Sequence, residues 1–341
     1  MRYSQIIYTI VICFLFTIES KAQQFPIYSQ YMMNGFLLNP AVAGHEGYTA
    51  INITIRDQWA GLSGSPKTYA LSAQTRVLKN SFIFRHKSVR HRRRSMSKGG
   101  KVGLGGYIFN DVNGIFSRLG FQGTYAYHLS MHRSQLSFGT SLTGFQYKID
   151  KSQVILNDNE QDQFFLNYQS SAFILDANLG AYYSDRNLYA GLSIQNLFQS
   201  FIKFNNDPGS EFKLDRQYLL TAGYRFDVVD FVFLEPSFLF KMSETAITQT
   251  DLNLKLYYKE DYWGGISYRT GSGNTVSSSS LNGKGSSLIF MVGARVDKFF
   301  FGYSFDYTFS SISKHTFGSH EITLAYKFGD NARRYRWLNR Y

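Results

Sequence analysis

The stretch INITIRDQWAGLSGSP, Ile51 to Pro66, sets Ile51, Ile53 and Ile55 against Asn52, Thr54 and Arg56, then reaches Gln58, Trp59 and a Gly-rich turn. Apolar and polar residues alternating with period two describe a strand with one apolar and one polar face. Whether the apolar face meets a protein core or lipid has to be decided by the rest of the chain.

The pattern recurs almost to the end. Tyr69, Leu71 and Ala73 alternate with Thr68, Ser72 and Gln74, and Leu119, Phe121, Tyr125 and Tyr127 with Arg118, Gln122, Thr124 and His128. Leu252, Leu254 and Leu256 alternate with Asp251, Asn253 and Lys255, and Phe299 to Phe309 carries an aromatic at every second position. Counting such runs gives about fourteen strands of roughly ten residues, the length that crosses a bilayer at a tilt. Short connections, such as Asp185 to Asn187, Lys259 to Asp261 and Val296 to Lys298, contrast with long ones at 151–172, 198–215 and 271–287. Short turns on one rim and long loops on the other are the habit of outer-membrane barrels. A soluble sandwich does not accommodate so many long strands whose apolar face is crowded with Phe and Tyr. The expected fold is therefore all-β, a transmembrane outer-membrane β-barrel of about fourteen antiparallel strands over residues 48–328.

Composition agrees. Charged residues make up 18% of the 341 and aromatics 17%, against a charged fraction of roughly 25% in soluble domains. On the barrel parity the interior receives Arg56, Arg76, Arg118, Asp176, Arg225, Glu235, Lys255, Arg269, Arg295, Asp306 and Lys327. Such a lumen is either a wet channel or a cross-braced, filled interior. Asp57 falls on the lipid face, which places it at the interface beside Trp59, where aromatic belts sit. Pro236 lies inside a strand and is expected to mark a bulge. The last strand presents His320, Ile322, Leu324, Tyr326 and Phe328 outward, resembling the closing strand by which such barrels are recognised for insertion.

Residues 1–22 read as a signal peptide: Arg2, an apolar stretch from Ile6 to Ile18, and the small-x-small site Ser20-Lys21-Ala22. The single cysteine, Cys13, lies within it, so the exported chain has no thiol chemistry. The whole chain carries +12, and loss of Arg2, Lys21 and Glu19 leaves +11. Outside the cytoplasm that excess suits anionic lipid, glycan or acidic protein and not nucleic acid. Residues 23–47 are apolar but aperiodic, with turn signals at Asn39-Pro40 and Ala43-Gly44, and read as a plug or cap.

Catalytic signals are poor. Walker and G-x-S-x-G motifs are lacking, and the glycines of GLGGY (103–107) suit close packing within a strand better than phosphate binding. On a strand, His128 and His132 stand about 13 Å apart, too far to share a metal. No enzyme activity, metal or cofactor is expected. The strongest charge feature, RHKSVRHRRRSMSKGGK (85–101), reads either as a solvated connection or as an interaction surface. Strand counting puts Arg85, Lys87, Arg90, Arg92, Arg93 and Arg94 on the rim of the tail 329–341, with its Arg333, Arg334 and Arg336. Together they would form a basic periplasmic surface for lipid head groups, cell-wall polymer or an acidic machine component.

Three segments carry a resemblance: YSQYMMNGFLLNPAVAG (28–44), RDQWAGLSGSPKTYALS (56–72) and GGYIFNDVNG (105–114). In this order after a signal peptide, the chain resembles the PorP/SprF family of the type IX secretion system in Bacteroidota. The most specific positions are Asn39, Pro40, Ala41 and Gly44, then Arg56, Gln58, Trp59 and Gly61, and Pro66, Asn110, Asp111 and Gly114 complete the family motif. The resemblance implies a non-enzymatic outer-membrane barrel. Its partners would be type IX components in the periplasm and outer membrane, or a secreted surface protein such as a large adhesin whose export or attachment it supports. The basic run at 85–101 departs from the family, where this connection is shorter. The alternative is a passive channel or hydrophobic-solute transporter on a similar barrel.

If Ile53 faces lipid near mid-membrane, Ile53→Arg costs roughly 2–4 kcal/mol. The variant should lose its folded, fast-migrating gel band at a lower temperature, and a silent change would invert the assignment of faces.

Overall fold

The structure, a computed structural model, describes residues 27–77, 101–131, 134–150, 171–203, 211–245, 248–272 and 286–328. In the first half of the chain lie β1 (Thr49–Asp57), β2 (Lys67–Val77), β3 (Val102–Asn113), β4 (Phe116–Ser130), β5 (Gln135–Ile149), β6 (Ser171–Ser184) and β7 (Leu188–Gln195). A small hairpin of β8 (Phe201–Lys203) and β9 (Glu211–Lys213) rises from the next connection. Then come β10 (Gln217–Tyr224), β11 (Phe226–Val229), β12 (Val232–Ser243), β13 (Thr248–Tyr258), β14 (Tyr262–Ser272), β15 (Ser287–Val296), β16 (Phe299–Thr308) and β17 (Ser319–Phe328).

Neighbours in sequence pair antiparallel, β7 pairs with β10 past the small hairpin, and two further joins close the ring. β1 pairs with β17, Ile53 opposite Leu324, and β10 pairs with β12, Thr221 opposite Leu239. The wall has 14 strands, β1–β7, β10 and β12–β17, with β11 continuing β10 past Arg225. Closure leaves no edge unpaired, as hydrocarbon demands.

Pro236 does not make the expected bulge. Ser237 pairs with Gly223 and Leu234 with Phe226, three residues on along both strands, so no residue is inserted. The ladder is interrupted at Pro236, which has no N–H to give, while β12 stays continuously paired with β13 through Pro236 opposite Leu254. The register shift lies nearby, between Asp227 and Val229.

The faces follow the alternation. Ile53 is 41% exposed and Arg56 4%, because successive strand residues point to opposite sides of the wall. Ile51, Leu71, Phe121, Leu254, Phe301 and Leu324 all project outward. Asp57 lies at the end of its strand, close to Lys67 and to the Ser65 hydroxyl that bonds it. Thr49 opposite Phe328 and Val77 opposite Val102 share the rim on which the wall begins and ends, called proximal here. The turns at 185–187, 259–261 and 297–298 are proximal, and the three longest connections after β4 are distal. Short turns mark the periplasmic rim of such barrels.

The interior is filled. Phe233 stacks on Tyr257 at 4.4 Å, Lys255 Nζ lies 4.1 Å over Trp263, and Tyr189 is buried with them in the proximal half. The chain preceding β1 runs through the lumen beside this cluster, with short 3-10 turns at Gly35–Leu37 and Pro40–Val42. Inward-facing glycines make room for it. A Cβ at Gly139 would collide with the Pro40–Ala41 backbone, at Gly180 with the Asn39 side chain, and at Gly103 with the Ala43 carbonyl. The GLGGY glycines thus serve close packing: Gly105 receives the Phe36 ring.

Gly139→Val and Gly180→Val should each destabilise the barrel by about 1–3 kcal/mol through overpacking. Gly123→Val is the control, since a Cβ there meets nothing within 4 Å. Equal melting of all three on gels would contradict the close approach.

Candidate functional site: a charged seat for the amino-terminal segment

In the distal third of the lumen, inward side chains from five neighbouring or near-neighbouring strands converge on Tyr28, Ser29 and Gln30. The Glu321 carboxylate accepts two successive main-chain N–H groups, Ser29 at 2.7 Å and Gln30 at 2.8 Å. Arg56 donates to Ser29 Oγ at 2.8 Å and pairs with Asp306 at 2.7 Å and Glu321 at 3.2 Å. Ser29 Oγ in turn donates to Asp306 at 2.7 Å. Arg269 grips Asp251 with two bonds of 2.9 and 2.8 Å and donates to the Tyr28 carbonyl at 3.1 Å. All five charged groups are at most 6% exposed. Burying such groups is costly unless every charge is paired and hydrogen-bonded, and here the amino-terminal chain supplies part of that bonding.

Further along, Asn39 caps the second 3-10 turn: its Oδ1 accepts from Ala41 N at 2.9 Å while Nδ2 donates to the carbonyls of Ala181 and Leu192. Pro40 fits the first position of that turn because its missing N–H is not needed there. Gly44 N donates to Gln74 Oε1 at 3.1 Å. Near the proximal rim His128 Nε2 donates to the Ala43 carbonyl at 2.9 Å, and its Nδ1 meets Ser137 Oγ at 2.8 Å. His45 contacts Ser184 Oγ at 2.9 Å and Gln135 Nε2 at 2.7 Å. Gln135 Oε1 accepts from Arg76, which fixes the amide so that Nε2 donates to His45. The segment therefore crosses the lumen from the distal seat to the proximal rim.

The remaining motif residues gather on the distal rim. Gln58 N donates to Pro66 O across the β1–β2 turn, and Trp59 N to Ser319 Oγ. Gly61 takes φ +90, and a Cβ there would strike the ring of Phe317, which is itself 78% exposed. Ala60 exchanges two main-chain bonds with the β16–β17 loop, and Gly114 N donates to Gly64 O at 3.1 Å. Asp111 accepts from Thr68 at 2.7 Å and pairs with Arg118 at 3.4 Å. Asn110 points outward and joins none of this. Thus Arg56 belongs to the seat, 58–66 and 111–114 build one rim surface, and 39–44 form a separate wedge.

Arg85, Lys87, Arg90, Arg92, Arg93 and Arg94, with Arg333, Arg334 and Arg336, lie outside the described residues. The segment 78–100 is entered and left at the proximal rim. Sequence reasoning missed Glu321, Asp251 and Ser29 as partners of Arg56 and Arg269. Parity placed Asp251 on the polar face, but cross-strand partners far apart in sequence leave no local signal. His45 and His128 were unconnected for the same reason. Among the described residues no group of three or more His, Cys, Asp or Glu could hold a metal ion.

A closed antiparallel wall with apolar residues outward and paired charges inside defines an outer-membrane β-barrel. The chain belongs to the PorP/SprF family: the model for type IX secretion system membrane protein PorP/SprF matches residues 20–326. It is a protein of the outer membrane. No curated protein sequence matches the chain. Among solved structures it is similar to the CymD monoaromatic hydrocarbon channel, at 11% identity and TM-score 0.53, covering 91% of this chain and 96% of that one. The Ralstonia pickettii toluene transporter TbuX is similar at 10% identity and TM-score 0.48, with 90% and 95% covered. The likeness to CymD shows the barrel fold alone.

Removing one partner of a buried pair costs about 3–5 kcal/mol. Arg56→Ala, which takes a paired cation from both Asp306 and Glu321, should lower the unfolding temperature on gels well below that of Lys67→Ala, whose partner Asp57 is solvent-exposed. Equal shifts for the two would show that the seat carries no stability.

Proposed function

We propose that this barrel is an accessory of type IX secretion that holds a secreted surface protein, such as a large adhesin, at the outer membrane and meets periplasmic components of the system through its proximal rim. The observation that carries the reading is the filled lumen in a member of this family. A barrel whose interior is occupied by its own amino-terminal chain and by wall aromatics is suited to anchoring and not to free passage of solute. The distal rim supports it too: the motif residues at 58–66 and 111–114 help lock three loops into one surface that displays Phe317. Such ordered loops on a rigid scaffold are where binding residues concentrate. The basic run and tail supply the proximal partner surface, attracting acidic protein or anionic head groups.

Crosslinked capture from native outer membranes tests the reading. A type IX component or a secreted surface protein should be recovered with the barrel, and recovery of neither would overturn it. Replacing Arg90, Arg92, Arg93 and Arg94 with Gln should lower the yield of periplasmic partners and leave that of the surface protein unchanged. An unchanged periplasmic yield would remove the basic run from the account.

A further inference from the structure

The amino-terminal chain is held in two different ways. From Asn39 to Gly44 it is wedged sterically: backbone lies against Gly103 and Gly139 so closely that a methyl group would not fit. Around Tyr28 to Asn34 polar bonds to the wall are added to the packing of Tyr31 and Met32 in the apolar cluster, and not every polar side chain is bonded. Gln30 Oε1 and Asn34 Oδ1 are buried without a hydrogen-bond partner, and so are Asn52 Oδ1, Ser304 Oγ and Thr323 Oγ1 on the facing strands β1, β16 and β17. No side-chain atom of 35–47 shares that condition. A buried polar group left unpaired opposes the closed arrangement, because water would satisfy it. Within the described amino-terminal chain, such side-chain atoms lie in the arm Tyr28–Asn34.

The seat beneath the arm is unselective in an informative way. Glu321 takes main-chain N–H groups, Arg269 gives to a main-chain carbonyl, and Arg56 and Asp306 enclose one small hydroxyl. Every one of these contacts can be made by a peptide with Ser or Thr at the central position whose backbone bends there, so that two successive N–H groups reach one carboxylate. They are charge-assisted and hence strong, and they lie in the distal third, on the side of the long loops.

We propose that the distal lumen is a main-chain binding seat whose resting occupant is the arm Tyr28–Asn34, and that a segment of a secreted partner that takes the same bent backbone, with a small hydroxyl residue at its centre, takes the arm's place. The exchange rests on the reading above that the barrel retains a secreted protein, and it supplies the site of that retention. The wedge Asn39–Gly44 stays in position, so the proximal half remains closed while the seat changes hands. The arm is a competitor tethered to the site, which sets the affinity an incoming segment must exceed.

The test uses the full-length barrel in micelles with Asn34→Cys, the only thiol of the chain beyond Cys13 in the signal segment. Asn34 is 3% exposed, so the seated arm hides it. The probe is a synthetic peptide of residues 27–34, added at roughly millimolar concentration to match a tethered competitor, with a maleimide reagent reporting thiol exposure. Labelling should accelerate roughly ten-fold with the peptide, as expected when a ligand draws off the open population. A peptide with Ala at the position of Ser29 should do much less. Gln30→Cys gives a second reporter should the first variant fail to fold. No acceleration with either reporter, or equal acceleration by the Ala peptide, would overturn the seat. If the peptide releases the arm but crosslinked capture finds no secreted partner, the seat stands and the retention reading falls. The converse pair of results retains the anchoring role and refutes the seat.

Discussion

In hydrocarbon no main-chain N–H or C=O can go unpaired, and this constraint governs the rest of the molecule. It forces the strands to close, at β1 with β17 and at β10 with β12. It explains how Pro236 is tolerated beside the second join: the proline gives up bonding on one side only, and the β12–β13 ladder runs past it unbroken. Closure also fixes parity. Once Ile51, Ile53 and Ile55 face lipid, Asn52, Thr54 and Arg56 have no choice but the interior.

The interior then poses the opposite difficulty, because charges turned inward must be compensated. Arg56 and Arg269 are set among Asp251, Asp306 and Glu321, and the set is completed by main-chain groups of the amino-terminal chain. Steric accommodation does the corresponding work further along, where Gly103, Gly139 and Gly180 let the wall approach the Asn39–Ala43 turn. Lumen and amino-terminal chain are therefore one packed unit. The distal rim extends the same logic outward, since the turn after β1 is tied both to the β16–β17 loop and to the β3–β4 turn.

Much of the wall was legible in the sequence, because period two is a local signal that one strand carries by itself. The inward placement of Arg56, Arg269 and Asp306 and the outward placement of Ile53 needed only that alternation. What one strand cannot report is which inward residue meets which across the lumen. Glu321 holding Ser29 and Gln30, 292 and 291 positions away, is invisible to any pattern in a window. Pro236 was misread because a proline in a strand can be absorbed either by an inserted residue or by a missing rung, and only the register of both partners distinguishes them. The choice between an open and a filled lumen depended on where an aperiodic segment goes, and aperiodicity carries no direction.

The central claim is that this barrel seals itself with its own amino-terminal chain. Conductance of the purified full-length protein in a planar bilayer measures that most directly. A sealed lumen gives at most brief, infrequent openings, with the membrane otherwise at baseline. Large, steady, ohmic conductance from the intact protein would contradict the account.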